Sequence, residues 1–285
     1  MTNTRASRPI PLHAIKLHYE SLRAAWQAPE VSFDQYQATW RSWLTNTSRK
    51  QLLGLEEFTY ADFTQGTSQS FDMFMLRHSH VRTVVTLKGD FQYHGCIGKF
   101  SGFRTVDSEF GLAKNMAVII SLPFSGTGDG YIVKRVLAKC NELQIPVCLD
   151  LAYWGIAKDI SLNLQDYPCI EEVVSSLSKP FYTLETHRVG IRFRKTYADD
   201  GISMQNEVKM QNQYSMNLGV SFMRKFGADW NWDYLEQRYN NACQEMKLTA
   251  TNCVIFGLGG EEYAENNRGI PGVNRVCLSG VLAEV

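Results

Sequence analysis

Short apolar runs alternate with segments of helical periodicity between residues 64 and 193. The runs at 83–87 and 117–122 are almost continuously apolar, which is typical of strands that are covered on both faces. Strands that alternate with helices in this way form parallel sheets. The pattern therefore predicts an α/β fold with a mostly parallel, doubly wound sheet, in which ligands bind beyond the carboxyl ends of the strands.

The regions on either side of this alternation have a helical pattern. Residues 12–45 predict two helices, the second over 33–44 with Ser32 as its N-cap. Beyond the sheet, residues 201–226 and 232–246 also predict helices. A leading helical segment of this kind packs either as a small domain or against a neighbouring subunit, and the pattern does not choose between them.

Two short strands complete the C-terminal part, at 252–257 and 274–279. We therefore expect three regions: an N-terminal helical segment over 1–50 that forms a small domain or a dimer arm, a large domain over 51–195, and a C-terminal part over 196–285 with helices and a small α+β domain.

Charge and cysteine usage exclude several classes of partner. The 29 basic residues equal the 29 acidic ones, so no basic field favours nucleic acid or an anionic membrane. No stretch approaches the roughly 20 apolar residues of a membrane span, and the first residues lack the apolar core of a secretory signal. Seven cysteines without a CxxC pair indicate reduced thiols in a cytoplasmic protein, and we expect no bound metal.

A lysine flanked by serines follows a β-branched run. Residues 171–174 predict a buried strand, and Lys179 lies just past it, with Ser176 and Ser178 before it and Arg188 after it. Lysine forms Schiff bases with carbonyl cofactors when burial or neighbours lower its pKa. Serine and arginine suit a phosphate, which arginine binds by a forked contact. The alternative is an exposed lysine in a polar turn.

An aspartate closes another apolar strand. Asp150 follows the apolar run at 145–149, and Tyr153 lies three residues further on. Because an ionised carboxylate is costly to bury unpaired, an aspartate in this place indicates a cap or a site residue. The interval between Asp150 and Lys179 has room for one helix and one strand, so both side chains can lie at neighbouring strand ends.

The segments SSLSKPF and HRVG resemble the lysine signature of fold-type I pyridoxal-phosphate (PLP) enzymes, the class I/II aminotransferase superfamily. The resemblance implies that Lys179 forms the Schiff base, that Asp150 lies beneath the pyridine nitrogen, and that Tyr153 contacts the ring oxygen. It also implies that a glycine turn opening an amphipathic helix binds the phosphate. The residues implied to contact the phosphate are Gly66, Thr67, Ser68, Ser176, Ser178 and Arg188.

The same resemblance implies the remaining contacts. Phe91 is the best match for the aromatic ring that stacks on the pyridine, with Tyr93 and His94 as competing candidates and core packing as the alternative. Ser125 stands where the family has an asparagine that hydrogen-bonds the ring oxygen, and a serine has a shorter reach. Arg275 matches the arginine that binds the substrate carboxylate, the alternative being an arginine in a surface ion pair.

The resemblance covers residues 60–195 well and the C-terminal strand moderately. It implies PLP as the cofactor, an amino acid or keto acid as the substrate, an aminotransferase reaction and a homodimer. Two alternatives remain open. The same anchoring residues serve PLP-dependent lyases, decarboxylases and replacement enzymes, and a non-catalytic scaffold can retain the fold.

Overall fold

The computed structural model describes residues 7–24, 30–91, 93 and 103–284. Its strands, in chain order, are β1 Gln51–Leu53, β2 Tyr60–Gln65, β3 Thr83–Leu87, β4 Arg104–Val106, β5 Met116–Ser121, β6 Val147–Asp150, β7 Ser161–Asn163, β8 Ile170–Ser176, β9 Val189–Arg194, β10 Thr249–Ala250, β11 Phe256–Gly259 and β12 Asn274–Cys277.

Seven strands form the main sheet, in the order β2-β9-β8-β6-β5-β3-β4. Neighbours from β8 to β4 pair in parallel, and β9 pairs antiparallel with both β2 and β8. Of these seven described strands, β9 alone therefore runs against the others. The prediction of a mostly parallel, doubly wound sheet is confirmed.

The register brings the carboxyl ends of the central strands to one edge. Asp150 at the end of β6 lies opposite Ser121 of β5 on one side and opposite Val174 of β8 on the other. Lys179 follows β8 after a short turn. The aspartate and the lysine therefore reach the same edge of the sheet, as their spacing predicts.

Helices cover the sheet and build the flanking regions. They are α1 His13–Ala24, α2 Phe33–Thr45, α3 Thr67–His78, α4 Tyr131–Leu143, α5 Gly201–Glu207, α6 Gln213–Lys225 and α7 Trp230–Glu245. Ser32 caps α2 by accepting a hydrogen bond from the Gln35 backbone N–H, and the Gln35 side-chain oxygen accepts one from the Ser32 N–H, as in a capping box. The predicted cap and both N-terminal helices are thus present.

Helix α2 holds the N-terminal segment on the sheet. Its buried face carries Tyr36, Trp40 and Trp43. The Tyr36 hydroxyl donates to the Gly190 carbonyl of β9 at 2.8 Å, and the Trp43 indole N–H donates to the Phe226 carbonyl at 2.9 Å. Because each buried aromatic ring contributes about 2–3 kcal/mol by leaving water, this face anchors α2 firmly.

A second sheet of three antiparallel strands, β10-β11-β12, lies in the C-terminal part. The strand predicted at 252–257 begins only at Phe256, so this boundary was wrong. Cys253 forms only an isolated bridge with Ala157, and Val254 and Ile255 lie in a turn; all three are fully buried, so their apolarity reflects burial rather than membership of a strand. In the described ranges, no helix has both the length and the apolarity that crossing a bilayer requires.

Candidate active site

A cavity opens at the carboxyl ends of β6 and β8, between these ends and the start of α3. Ala152 and nine of the twelve predicted site residues line its walls. The nine are Thr67, Ser68, Phe91, Asp150, Tyr153, Ser176, Ser178, Lys179 and Arg188. Of the other three predicted residues, Gly66 lies against Arg188, Ser125 lies within hydrogen-bonding distance of Tyr153, and Arg275 reaches the group through Ser125. The structure thus brings all twelve together, although their roles remain predictions.

The turn that opens α3 forms one wall of the cavity. Gly66 precedes the helix with φ 75°, in the left-handed region that favours glycine. A side chain at Gly66 would place its Cβ 2.6 Å from the Arg188 guanidinium. Arg188 also donates to the Ser68 hydroxyl at 3.3 Å. A guanidinium, a hydroxyl and the N–H groups of a helix start therefore converge on one point, which suits an anion.

Arg188 holds this position in a strained conformation. Its φ of 54° lies in the left-handed region, which costs a residue with a side chain about 1 kcal/mol or more. Ser176 and Ser178, whose hydroxyls lie 3.0 Å apart, complete the same wall. Strain of this kind persists where the surrounding structure enforces it, and it is frequent at functional sites.

Asp150 forms the floor of the cavity and is almost completely buried. Its carboxylate accepts a hydrogen bond from the Ala152 N–H at 2.9 Å. Burial raises the pKa of Asp150 to about 8; the Ala152 N–H opposes this shift, the charge of Asp90 adds to it and the charge of Lys179 opposes it. A buried carboxylate with so little compensation favours a proton or a cationic group beside it.

Lys179 lies half-buried at the edge of the cavity. Its amine donates to the Ser7 carbonyl at 2.6 Å, so the N-terminal segment crosses beside the lysine. The Ser279 hydroxyl holds the same segment by donating to the Arg8 carbonyl. The alternative of a fully exposed lysine is wrong. No pattern in the sequence pointed to Ser7, because it contributes a backbone carbonyl rather than a side chain.

Arg275 approaches from β12 of the C-terminal sheet and is fully buried. It donates to the Ser125 carbonyl and to the Ser125 hydroxyl, the latter at 3.2 Å, and its guanidinium lies 4.1 Å from the Phe256 ring centre. Burial, and then the charge of Arg268, lower the pKa of Arg275 to about 10. The alternative of a surface ion pair is therefore wrong, and Ser125 links this arginine to the cavity.

Among the aromatic candidates, Phe91 lines the cavity. Tyr93 stacks on Phe91 with its ring centre 6.0 Å away, and its hydroxyl donates to the Asp72 carboxylate. Tyr93 therefore supports Phe91 from behind, and His94 lies outside the described residues. A wider groove at the amino ends of the strands, lined partly by His78, contains no predicted site residue.

The sequence pattern did not single out Asp90 and Ser121, which lie beside Asp150. Asp90 follows β3 in the way that Asp150 ends β6, so the same signal, an acidic residue at the end of an apolar strand, applied to it. Among the residues that the structure describes, no group of three or more His, Cys, Asp or Glu side chains lies close enough to hold a metal ion. The described cysteines are free thiols.

Comparisons with known proteins identify the fold. No protein-family model matches the chain, and no curated protein sequence is similar to it. Solved structures with a similar fold include a PLP-bound C-S lyase from Staphylococcus hominis (TM-score 0.68, 11% identity, 97% of this chain and 86% of the lyase). Another is an alanine aminotransferase from Pyrococcus furiosus (TM-score 0.66, 11% identity, 96% of this chain and 86% of the aminotransferase). A third is an aspartate aminotransferase from Thermus thermophilus with maleate (TM-score 0.62, 12% identity, 96% of this chain and 86% of the aminotransferase).

The chain therefore has the fold of the fold-type I PLP-dependent enzymes, and the fold that the sequence resemblance implied is confirmed. The similar structures span aminotransferases and a C-S lyase. Because one fold carries several reactions, the fold leaves the reaction open.

Proposed function

We propose that the protein is a PLP-dependent enzyme that acts on an amino acid, most simply an aminotransferase, with Lys179 as the residue that binds the cofactor covalently. The observation that carries this proposal is the cavity itself. One wall offers Arg188 and hydroxyls, the floor offers the Asp150 carboxylate, and the edge offers the Lys179 amine.

These groups fit the three functional parts of PLP. The phosphate suits the anion-binding wall, where the space that a side chain at Gly66 would fill is taken by the Arg188 guanidinium. The pyridine nitrogen, when protonated, is the cation that buried Asp150 lacks. The aldehyde suits the amine of Lys179. Phe91, on the cavity wall, provides an aromatic face for the ring.

When bound, PLP supplies an electron sink for a bond to the substrate Cα. Asp150 would hold the proton on the ring nitrogen, and Tyr153, with Ser125, would hydrogen-bond the ring oxygen. Arg275 would bind the substrate carboxylate and so orient the Cα–H bond. The amine of Lys179, set free when the substrate amine takes its place on the cofactor, would then take the Cα proton and act as the general base of the reaction.

A second reaction class is supported by two observations. Ser125 replaces the asparagine of the aminotransferase pattern, and one similar structure is that of a C-S lyase. A lyase, decarboxylase or replacement enzyme would use the same anchoring residues on a different Cα bond. A keto acid formed with conversion of the cofactor to its amine form indicates transamination. Pyruvate and a released thiol without that conversion indicate a lyase.

Spectroscopy of the purified protein tests the cofactor and its attachment. We expect visible absorption after PLP is added, its loss in Lys179→Ala, and a borohydride-reduced label on the peptide that contains Lys179. Lys139→Ala, on the exposed side of α4, serves as the matched control and should keep both colour and label. A protein that stays colourless with added PLP contradicts the proposal and favours a non-catalytic scaffold.

The family resemblance also leads us to propose a homodimer. Sedimentation equilibrium of the purified protein tests this, since the chain mass is 32.4 kDa and the dimer has twice that mass. A monomer at every concentration would contradict the dimer and leave the cofactor proposal intact.

A further inference from the structure

A second buried carboxylate is hydrogen-bonded to Ser121, the residue of β5 that lies opposite Asp150 in the sheet. Asp90 follows β3 and is only 5% exposed. It accepts hydrogen bonds from the Ser121 hydroxyl, from the Ser121 N–H at 3.0 Å and from the Phe91 N–H at 2.8 Å. With the Thr86 hydroxyl at 3.4 Å, four donors converge on this one carboxylate and hold it in place next to the cavity.

Ser121 transmits this contact to the next loop. Its hydroxyl, while it donates to Asp90, accepts a hydrogen bond from the Ser125 N–H at 2.8 Å. A hydroxyl carries one proton and can satisfy both partners only if it donates to the carboxylate and accepts from the amide. The direction of the chain from Ser125 through Ser121 to Asp90 is therefore determined by chemistry.

Ser125, at the end of this chain, contacts two proposed site residues. Its hydroxyl lies 3.3 Å from the Tyr153 hydroxyl and accepts from Arg275 at 3.2 Å. Its carbonyl also accepts from Arg275. A shift of Ser125 would therefore move the groups proposed to hold the ring oxygen and the substrate carboxylate at the same time.

We propose that Asp90 is a positioning residue that, through Ser121, places Ser125 between Tyr153 and Arg275 and sets the charge balance around Asp150. This inference rests on the proposed function. It also explains why a serine suffices at position 125: the Ser125 N–H is held by the Ser121 hydroxyl, which Asp90 fixes in turn, so the serine needs no longer side chain to reach its partners.

The electrostatic part rests on the sheet register, which places Ser121 opposite Asp150 while Asp90 accepts from both the N–H and the hydroxyl of Ser121. After burial and the opposing Ala152 N–H, the charge of Asp90 contributes to the raised pKa of Asp150, and the positive charge of Lys179 acts in the opposite direction. Removing the charge of Asp90 must therefore lower the pKa of Asp150. Ser121→Ala removes no charge, so it separates the positional effect from the electrostatic one.

The test compares Asp90→Asn, Ser121→Ala and the control Asp129→Asn. Asp129 belongs to the loop that contains Ser125. Among the described hydrogen bonds, its carboxylate accepts only from backbone N–H groups at the start of α4. The side-chain oxygen of asparagine can accept the same bonds. Infrared titration of the cofactor-free proteins measures the midpoint of Asp150, whose band is identified by its loss in Asp150→Asn. Visible titration and steady-state kinetics follow on the PLP-loaded proteins.

We expect Asp90→Asn to move the Asp150 midpoint down by about 0.5 pH unit or more, and Ser121→Ala to leave it within about 0.2 unit. Both variants should raise KM for the amino acid about 5- to 20-fold, since one buried hydrogen bond is lost. Asp129→Asn should match the wild type in both readouts. Circular dichroism confirms folding, and if Asp90→Asn fails to fold, the KM of Ser121→Ala decides the positional part.

Two outcomes separate this inference from the proposed function. In the first, the wild type is coloured and active, and Asp90→Asn and Ser121→Ala have the same Asp150 midpoint and the same KM as the wild type. This result overturns the role of Asp90 and leaves the proposed function standing. In the second, the wild type never binds PLP, but the Asp150 midpoint is lower in Asp90→Asn than in the wild type. This result overturns the proposed function and the positioning role of Asp90, while the electrostatic coupling of Asp90 and Asp150 stands.

Discussion

Two residues of the proposed site combine deep burial with a shifted pKa. Asp150 and Arg275 are both buried. Burial raises the pKa of Asp150 and lowers the pKa of Arg275, so it favours the neutral form of each side chain. Groups of this kind destabilise a folded protein unless a ligand completes them, and they are frequent where binding or catalysis takes place. The site therefore lowers the stability of the cofactor-free protein.

Asp150→Asn should stabilise the cofactor-free protein in alkaline solution. The pKa of Asp150 rises from 3.8 in the unfolded chain to about 8 in the folded one, so the unfolded state loses its proton first. Folding stability therefore falls as pH rises from about 4 to about 8. Asparagine does not titrate, and we expect Asp150→Asn to increase the free energy of unfolding by ~2–5 kcal/mol at pH 8 and by little at pH 4.

Urea unfolding of both proteins at pH 4 and pH 8 measures this difference. Asp166→Asn, which replaces an exposed aspartate, is the control and should change the free energy of unfolding equally little at both pH values. An Asp150→Asn protein that is no more stable than the wild type at pH 8 would contradict the raised pKa.

Arg275→Gln should weaken substrate binding and spare the cofactor. Glutamine removes the charge proposed to bind the substrate carboxylate, a contact worth ~3 kcal/mol when buried, so KM for the amino acid should rise about 100-fold. The dissociation constant of PLP should change less than about threefold, because the phosphate is proposed to bind at another wall, beside Arg188. Arg224→Gln, which replaces an exposed arginine, is the control. If Arg275→Gln loses affinity for PLP and for the substrate equally, the role of Arg275 is structural instead.

At the scale of elements, the start of α3 shows how backbone conformation creates a binding surface. Gly66 combines a positive φ with close contact to Arg188, so two separate constraints exclude a side chain. Gly190 of β9 contributes to the same crowding, since a Cβ there would lie 2.8 Å from the Gly66 Cα. The helix start and the arginine can approach one anion only because both positions are glycine.

Gly66→Ala should therefore weaken PLP binding about 10- to 100-fold, because the methyl group displaces the Arg188 guanidinium and strains the backbone. Binding of pyridoxal, which lacks the phosphate, should change much less. Gly227→Ala is the control, since no described atom lies within 4 Å of an added Cβ there. Fluorescence titration with both ligands gives the dissociation constants, and an equal loss for PLP and pyridoxal would contradict the phosphate assignment.

The order of elements also explains what the sequence could and could not predict. Asp150 and Lys179 were predictable because strands of a parallel sheet end at one edge, and a polar residue after an apolar run marks that edge. The contact of Ser7 with Lys179 was not, because a backbone carbonyl carries no sequence signal. The strand predicted at 252–257 was misplaced because buried turns and buried strands have the same apolar composition.

At the scale of the whole molecule, one helix connects the site with a buried network of charges. Helix α3 begins at the wall of the cavity that contains Ser68 and Arg188, and its last turn carries Arg77, which lies about 14 Å from Ser68 along the helix axis. Arg77 forms ion pairs with Glu172 and Asp200, and Arg192 on β9 pairs with Asp200 and Asp62. The network ties α3, α5 and the main sheet together and touches no group of the cavity in the described contacts.

Arg192→Met should therefore separate stability from chemistry. The arginine is fully buried between Asp62 and Asp200, and methionine would leave both carboxylates without it, which costs ~3–5 kcal/mol. Burial raises the pKa of Asp200, but hydrogen bonding and charge attraction from Arg192 outweigh it and lower the pKa below 3.8. This contribution is present above pH 4 and is lost as pH falls further, so the variant and the wild type should converge in acid.

Urea unfolding at pH 7 and pH 3 measures that convergence, and kcat at a temperature where both proteins are folded should stay within about twofold of the wild type. Arg238→Met, which breaks the exposed pair with Glu284, is the matched control and should cost less than ~1 kcal/mol. A large fall in kcat for fully folded Arg192→Met would show that the charge network also positions the start of α3, and that stability and chemistry are not separated in this fold.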